Sequence, residues 1–540
     1  MPDATNTVID YHEKTKHSFD AFAPGPDGLD WATKPNPFRR YDGAPLISLD
    51  KVEVAGEPAY DDAFLPGGIS PAPLNRRSIS QLFFDSLAIS AWKSAGGETW
   101  ELRVDPSSGN LHPTEGYLLC GPVDGLCDRP MVCHYAPKEH ALEVRAELPA
   151  DTWQKLAAEL PPHAVLLGIT SIHWREAWKY GARAYRYCQH DVGHVLGALT
   201  MAAAGLGWQA RLLNGMSSEQ LTALLGTSDP QGVEPEEADC PVAVFPQNES
   251  LAVQGLPSDA IAECADASWH GCPNRISAST VDWPLITTVA RAAHKPEPDG
   301  PYEPYKNTGT PPDVEAFDVS LRQVIRQRRS AQSMDGRTHL ARSVFYRMLL
   351  RTLPRFGQFP FTTLPWPPNV HLALLVHRVT DLAPGLYFLL RDPREKTRLW
   401  ESMRSEFAWR KPEGCPKELE LYLLQAGDTR RTAMMISCTQ DIASDGCFSL
   451  AMVSRFADPL KRYGPWFYPR LFWECGTIGQ VLYLEAEAAG MRGTGIGCFF
   501  DNAMHEVLGL EGNAYQDLYH FTIGGPITDT RITTLPAYGE

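Results

Sequence analysis

Four stretches of the 540-residue chain carry side chains whose types and spacing could do chemistry. Arg-Arg-Ser occurs at Arg76, Arg77 and Ser78 and again at Arg328, Arg329 and Ser330. Two guanidinium groups, a hydroxyl and free backbone N–H donors at the head of a helix suit a phosphate. A solvated helix face can carry the same three letters. The polar loop 106–115, Pro-Ser-Ser-Gly-Asn-Leu-His-Pro-Thr-Glu, stands directly before an apolar run and has the character of a loop built to hold something. Residues 490–501 place glycines at 493, 495 and 497 after a helical pattern and before the apolar run 496–500. A dinucleotide fingerprint would follow a strand and open a helix, so a Rossmann site is excluded. The glycines suit either a backbone passing close to a flat ligand or a tight connection.

His190 and His194 lie four apart on one helix face, a spacing that can hold a metal. No glutamate of an HExxH site accompanies them, and packing with hydrogen bonding is the better reading. The twelve cysteines include no CxxC pair. They read as reduced, mostly buried thiols, and no metal is expected.

The elements that must position these residues come in two copies. Residues 191–208 align without gaps on 474–491 at an offset of 283, the difference between Gly193 and Gly476. Leu199 and Leu482, Ala203 and Ala486, Gly207 and Gly490, and further on the Leu-Gly pairs at 225 and 508 keep that register. Each copy reads as a long apolar helix, a short strand and a second helix ending in Leu-Gly. The two Arg-Arg-Ser stretches align at an offset of 252, so the second copy carries about thirty extra residues. Residues 294–315, rich in Pro and Gly, read as a linker. The division expected is an N-terminal extension (1–69) packed on the core, a first domain (70–265), a connecting segment with the linker (266–315) and a second domain (316–540).

The net charge of -16 argues against a broad nucleic-acid face. No segment reaches the roughly 18 apolar residues of a membrane span, and the N-terminus has no secretion-signal core. A cytoplasmic protein without nucleic-acid or membrane partners is expected.

Taken in order, the Arg-Arg-Ser stretches, residues 106–113, 178–194, 471–497 and 519–532 resemble the nitroreductase-like flavoproteins, specifically the SagB/ThcOx-type dehydrogenases that oxidise azolines to azoles in modified peptides. The resemblance covers nearly the whole chain as two fused copies. It implies an α+β fold, a mainly antiparallel sheet wrapped by helices, with FMN at a two-fold interface and the two copies forming an internal pseudodimer. The serine-rich loop then edges the flavin ring across the interface from the phosphate site.

The resemblance also makes the two flavin sites unequal. One would combine Arg76, Arg77 and Ser78 with residues 365–370, Pro-Trp-Pro-Pro-Asn-Val, where the serines and glycine are lost. The other takes Arg328, Arg329, Ser330, Gly495, Ile496, Gly497 and Arg531 from the second copy and Ser107, Ser108, Gly109 and Asn110 from the first. Gln332 stands where a basic residue is common, which shifts weight to Arg531. Lys179 and Tyr180 match a Lys-Tyr pair that assists proton removal, although a surface lysine beside a core aromatic reads the same. The second copy has Arg462 and Tyr463 there, and arginine is a poor base. The expected function is FMN-dependent removal of a hydride from a C–H next to a heteroatom in a small-molecule or modified-peptide substrate. The alternatives are an NAD(P)H-dependent nitro or quinone reductase and a flavin-binding protein without turnover.

Overall fold

The computed structural model describes residues 3–52, 54, 56–227, 234–298 and 302–539. Residues 1, 2, 53 and 55 of the expected extension, 228–233 of the first domain, 299–301 of the linker and 540 of the second domain lie outside the described residues.

The first half builds a seven-stranded sheet from β1 (Leu46–Ser48), β2 (Thr114–Cys120), β3 (Met131–Ala136), β4 (Ala141–Glu147), β5 (Val165–Ser171), β6 (Trp208–Leu212) and β7 (Glu237–Pro246). The second builds a six-stranded sheet from β8 (Val370–Val376), β9 (Gly385–Leu390), β10 (Glu420–Ala426), β11 (Phe448–Arg455), β12 (Arg492–Ile496) and β13 (Tyr515–Gly524). The orders are β1-β4-β3-β2-β5-β7-β6 and β10-β9-β8-β11-β13-β12. Apart from the added edge strand β1 they trace one path, and every pairing is antiparallel. Covered on both faces, the central strands are apolar runs without strict alternation. All seven residues of β8 and all ten of β13 are buried.

The helices that bear on the site are α1 (Ala4–Lys14), α2 (Arg76–Phe84), α3 (His173–Tyr180), α4 (Ala184–Ala204), α5 (Leu321–Gln327), α6 (Arg342–Arg351) and α7 (Tyr468–Ala488). All of α4 and all of α7 except Glu487 are buried, polar and charged side chains included, because neighbouring elements cover these helices on every side. They cross at the glycines that fixed the repeat register. A Cβ on Gly193 would collide with the Trp473 carbonyl and come within 2.8 Å of the Gly476 Cα, and one on Gly476 would meet the His190 carbonyl. The pseudo-two-fold relation between the halves passes through this contact.

Both ends of the chain lock the halves together. In α1, the Tyr11 hydroxyl donates to the Ala182 carbonyl at 2.7 Å, and the His12 ring lies 3.1 Å from both the Tyr468 hydroxyl and Gln516 Oε1. Thr533–Leu535 of the second half adds a strand to the hairpin formed by Ile89–Ala95 and Glu98–Arg103 of the first. The connecting segment carries a helix of its own, Pro284–Ala292.

One expectation fails. Arg76 opens α2 behind an Asn75 capping box, but Arg328 follows the last residue of α5, so the second Arg-Arg-Ser lies at a helix end and not at a head. In chain order the counterpart of α2 is α6, each being the last α-helix before the first shared strand. Three matching letters were too few to fix a register.

Candidate functional site

A cleft of about 450 Å³ opens between the 89–103 hairpin, the stretch after α5 and the chain end, lined by Lys93, Arg328, Arg329 and Arg492 among others. The guanidinium of Arg329 donates to the carbonyls of Arg326 at 2.9 Å, Arg328 at 2.6 Å and Ser90 at 3.3 Å. Burial, then the like charges of Arg328, Arg326 and Arg492, pulls its pKa down to about 9. Lys93 is lowered for the same reasons, by burial and then by Arg329 and Arg492. Arg328 is buried, donates to the Arg103 carbonyl at 3.1 Å, and has no hydrogen-bond partner for its Nε. Carboxylates are outnumbered in this cluster: Asp105 lines the cleft, Asp529 is paired with Arg531, and Glu487 lies 3.8 Å from Arg492. Mutually repelling, half-desolvated cations around a cleft are stabilised by an anion.

Ser330 joins this end to the next, its Oγ 2.8 Å from the Tyr483 hydroxyl, which also accepts the Gly495 N–H at 2.9 Å. Gln332 lines the same cleft. Arg531 does not. Its side chain is 86% exposed and pairs with Asp529 at 2.7 Å. Arg492, read in the sequence only as part of a glycine-rich stretch, faces the cleft instead.

Through Pro106, Ser107, Gly109 and Ser330 the cleft continues into a second space of about 280 Å³, walled by Tyr180, Asp191 and the stretch Thr494, Gly495, Ile496 and Gly497 at the end of β12. Gly109 turns the loop with φ +60°, and a Cβ there would lie 2.6 Å from the Tyr180 hydroxyl and 3.1 Å from Lys179 Nζ. The loop therefore rests on the Lys-Tyr pair at the end of α3. Asn110 donates to the Glu101 carbonyl at 2.8 Å.

The serines are engaged by two buried carboxyls. Ser108 donates both its N–H and its hydroxyl to Asp191 at 3.2 Å, and the Ser107 hydroxyl lies 3.5 Å from Glu176. Sequence reasoning missed both carboxyls, since a buried acid on a helix leaves no motif. Burial lifts Asp191 to about 8, with the loop's hydrogen bonds offsetting only part. Glu176 is pushed well up by burial and by Asp191, and its second oxygen has no partner. Burial, followed by Glu176, also raises the Tyr180 phenol.

The glycines answer first to protein neighbours. A Cβ on Gly495 would strike the Tyr519 hydroxyl, and one on Gly497 the ring of Tyr187. His194 Nε2 lies 3.1 Å from the Tyr519 hydroxyl and His190 Nε2 lies 3.0 Å from the Leu518 carbonyl. Burial lowers both histidines, which hold the helix against the sheet as neutral rings. Among the described residues no group of three His, Cys, Asp or Glu side chains could hold a metal ion.

Across the pseudo-two-fold the equivalent residues make different contacts. Glu474, the counterpart of Asp191, is paired with Arg391 and accepts the Asn369 N–H at 3.0 Å. Trp366 is buried between Phe467 and Trp473, at ring separations of 5.7 and 6.2 Å. Arg470 donates to Asn214 at 3.0 Å. Arg462 and Tyr463 line a separate cleft with Pro365 and Trp466. Arg76 is tied to Asp50 at 2.9 Å and Arg77 is exposed.

No family model matches the chain. A 142-residue stretch, 25% of this chain, is 26% identical to "Putative nitroreductase MJ1384" of Methanocaldococcus jannaschii and spans 66% of that protein. The crystal structure of "a putative nitroreductase" from Anabaena variabilis superposes with a TM-score of 0.72 at 23% identity, covering 96% of this chain and 99% of that one. The fold is nitroreductase-like, α+β, with two fused halves forming an internal pseudodimer. Among the described residues no helix is long and apolar enough to cross a membrane.

Proposed function

We propose that the chain is an FMN-dependent oxidoreductase that binds one flavin in the joined clefts. The carrying observation is that a cluster of unbalanced cations and a group of proton-bearing side chains sit at opposite ends of one elongated space. Arg328, Arg329, Arg492 and Lys93 would hold the terminal phosphate, and Ser330 with Gln332 would line its approach. The loop Ser107, Ser108, Gly109 and Asn110 and the strand Gly495, Ile496 and Gly497 would flank the ring. Bound FMN would supply a two-electron acceptor.

Lys179 and Tyr180 would flank the substrate where a C–H next to a heteroatom is oxidised and its proton released. Tyr180 keeps its phenol proton at neutral pH, because burial opposes the phenolate. It therefore orients the substrate and donates a hydrogen bond, while the proton passes by Lys179 toward the Glu176 and Asp191 carboxyls. With its pKa near 8, Asp191 can take and return a proton around neutrality. An azoline in a small molecule or modified peptide, oxidised to an azole, fits this arrangement.

The names of the two similar proteins favour a second reading, an NAD(P)H-dependent nitro or quinone reductase. Anaerobic mixing with NAD(P)H separates the two, since prompt bleaching of the flavin supports the reductase. Acid release and chromatography of the cofactor tests both. Recovery of FAD, of no flavin after reconstitution, or of two flavins per chain would overturn the single-site FMN assignment.

A further inference from the structure

Cys438 and Cys498 are 60 residues apart in sequence, yet their Sγ atoms are 2.9 Å apart. Both are free and partly accessible, and Cys498 continues the Gly495–Gly497 wall of the smaller cleft. Cys438 follows the helix Arg430–Ile436 on an unusual turn. Its φ is +52° and that of Thr439 is +57°, two consecutive non-glycine residues in the left-handed region. Such strain persists where the surroundings over-determine it and gathers at functional sites. Gln440 ties the two segments, donating to the Ser437 carbonyl at 2.8 Å and the Cys498 carbonyl at 2.9 Å.

The surroundings also divide the labour between the sulfurs. A proton shared with Cys438 pulls Cys498 down to about 5, helped by the His17 hydrogen bond and the Arg183 charge, while Cys438 is pushed up. A thiolate in an electropositive, partly open setting beside a protonated thiol has the arrangement of an attacking and a resolving cysteine. Closing the contact to a disulfide of about 2.05 Å needs movement of roughly 1 Å.

We propose that Cys438 and Cys498 form a redox-active thiol–disulfide exchange site on the wall of the cleft, with a small disulfide or dithiol as its substrate. Cys498 attacks one sulfur of the incoming disulfide, and the other leaves as a thiolate that takes a proton from water. Cys438 then loses its proton to water and attacks Cys498 Sγ, releasing the second substrate thiol and closing the protein disulfide. Two protein thiols are oxidised and one substrate disulfide is reduced to two thiols. The reverse sequence consumes a dithiol. Neither direction requires a bound flavin, so the site stands apart from the flavin assignment.

The test uses the full chain in glutathione redox buffers, read by intact mass and by mapping of alkylated peptides. The wild type should lose two thiols, mapped to Cys438 and Cys498, and regain them on reduction. Cys438→Ser should accumulate a glutathione adduct on Cys498, about tenfold more than Cys498→Ser accumulates on Cys438. A wild type that keeps both thiols at every glutathione ratio, or equal adducts in the two variants, overturns the proposal. Should the variants not fold, the wild-type mapping decides: a reversible Cys438–Cys498 bond supports the site and its absence sinks it.

Discussion

The Ser108 N–H donates to Asp191 at 3.2 Å. At the position 283 residues on, Glu474 accepts the Asn369 N–H at 3.0 Å. Each half thus hangs the loop before its first shared strand on a buried acid of its long helix. The acids differ in what neutralises them: Arg391 pairs with Glu474, whereas Asp191 is held by hydroxyl and amide donors and is lifted to about 8.

That difference sets a pH dependence. Unfolded, Asp191 titrates near about 3.9, so the folded chain binds the extra proton between roughly pH 4 and 8. Stability from this group is present at the acid end and is lost as pH rises toward 8, at up to about 1.4 kcal/mol per pH unit. Asp191→Asn should remove that slope. Urea midpoints measured across the window should fall less in the variant than in the wild type, and parallel profiles would refute the assignment.

The cation cluster predicts which arginines matter for the proposed binding of FMN. A charge-assisted hydrogen bond contributes roughly 1.5–3 kcal/mol, so Arg329→Ala or Arg492→Ala should weaken flavin binding about ten- to a hundredfold. Arg531→Ala and Arg77→Ala should leave it unchanged, since both side chains are exposed. Titration of the apoprotein with FMN, followed by fluorescence quenching, measures all four.

Lys179→Ala combined with Tyr180→Phe should lower substrate oxidation by about 10²–10⁴-fold while leaving flavin content intact, because neither residue lies in the cation cluster. Unchanged turnover in the double variant would return both residues to packing roles.

The helix crossing predicts a stability defect. A side chain at Gly476 meets the Gly193 Cα at 2.7 Å and backbone on either side of it, so Gly476→Val should cost at least about 1–3 kcal/mol of stability. Gly28→Ala, with nothing within 4 Å of an added Cβ, serves as the neutral control. Denaturant unfolding of the two variants compares them directly.

The sequence repeat located the helix crossing because close packing needs glycine at the same place in both copies, and that requirement is written in residue type. The apolar strands were equally legible. The site was less so. Arg492 was hidden among glycines that drew the eye for their flexibility, and those glycines make room for Tyr519 and Tyr187. Arg531 was chosen by its place in the chain order, but exposure is a property of the fold. Glu176 and Asp191 carried no signal, since an acid beneath a loop is defined by neighbours from other elements. Arg-Arg-Ser misled because a helix head and a helix end can share three letters.

The fusion of the halves has a consequence for how such a molecule can change over time. In a pair of identical subunits every substitution arrives twice, so a tryptophan that blocks one cavity blocks both. Here Trp366 packs on Phe467 and Arg391 pairs with Glu474 in one half, while Ser108, Gly109 and Tyr180 line a cleft in the other. Covalent joining lets each half carry its own side chain at an equivalent position, which a symmetric pair of identical chains cannot do.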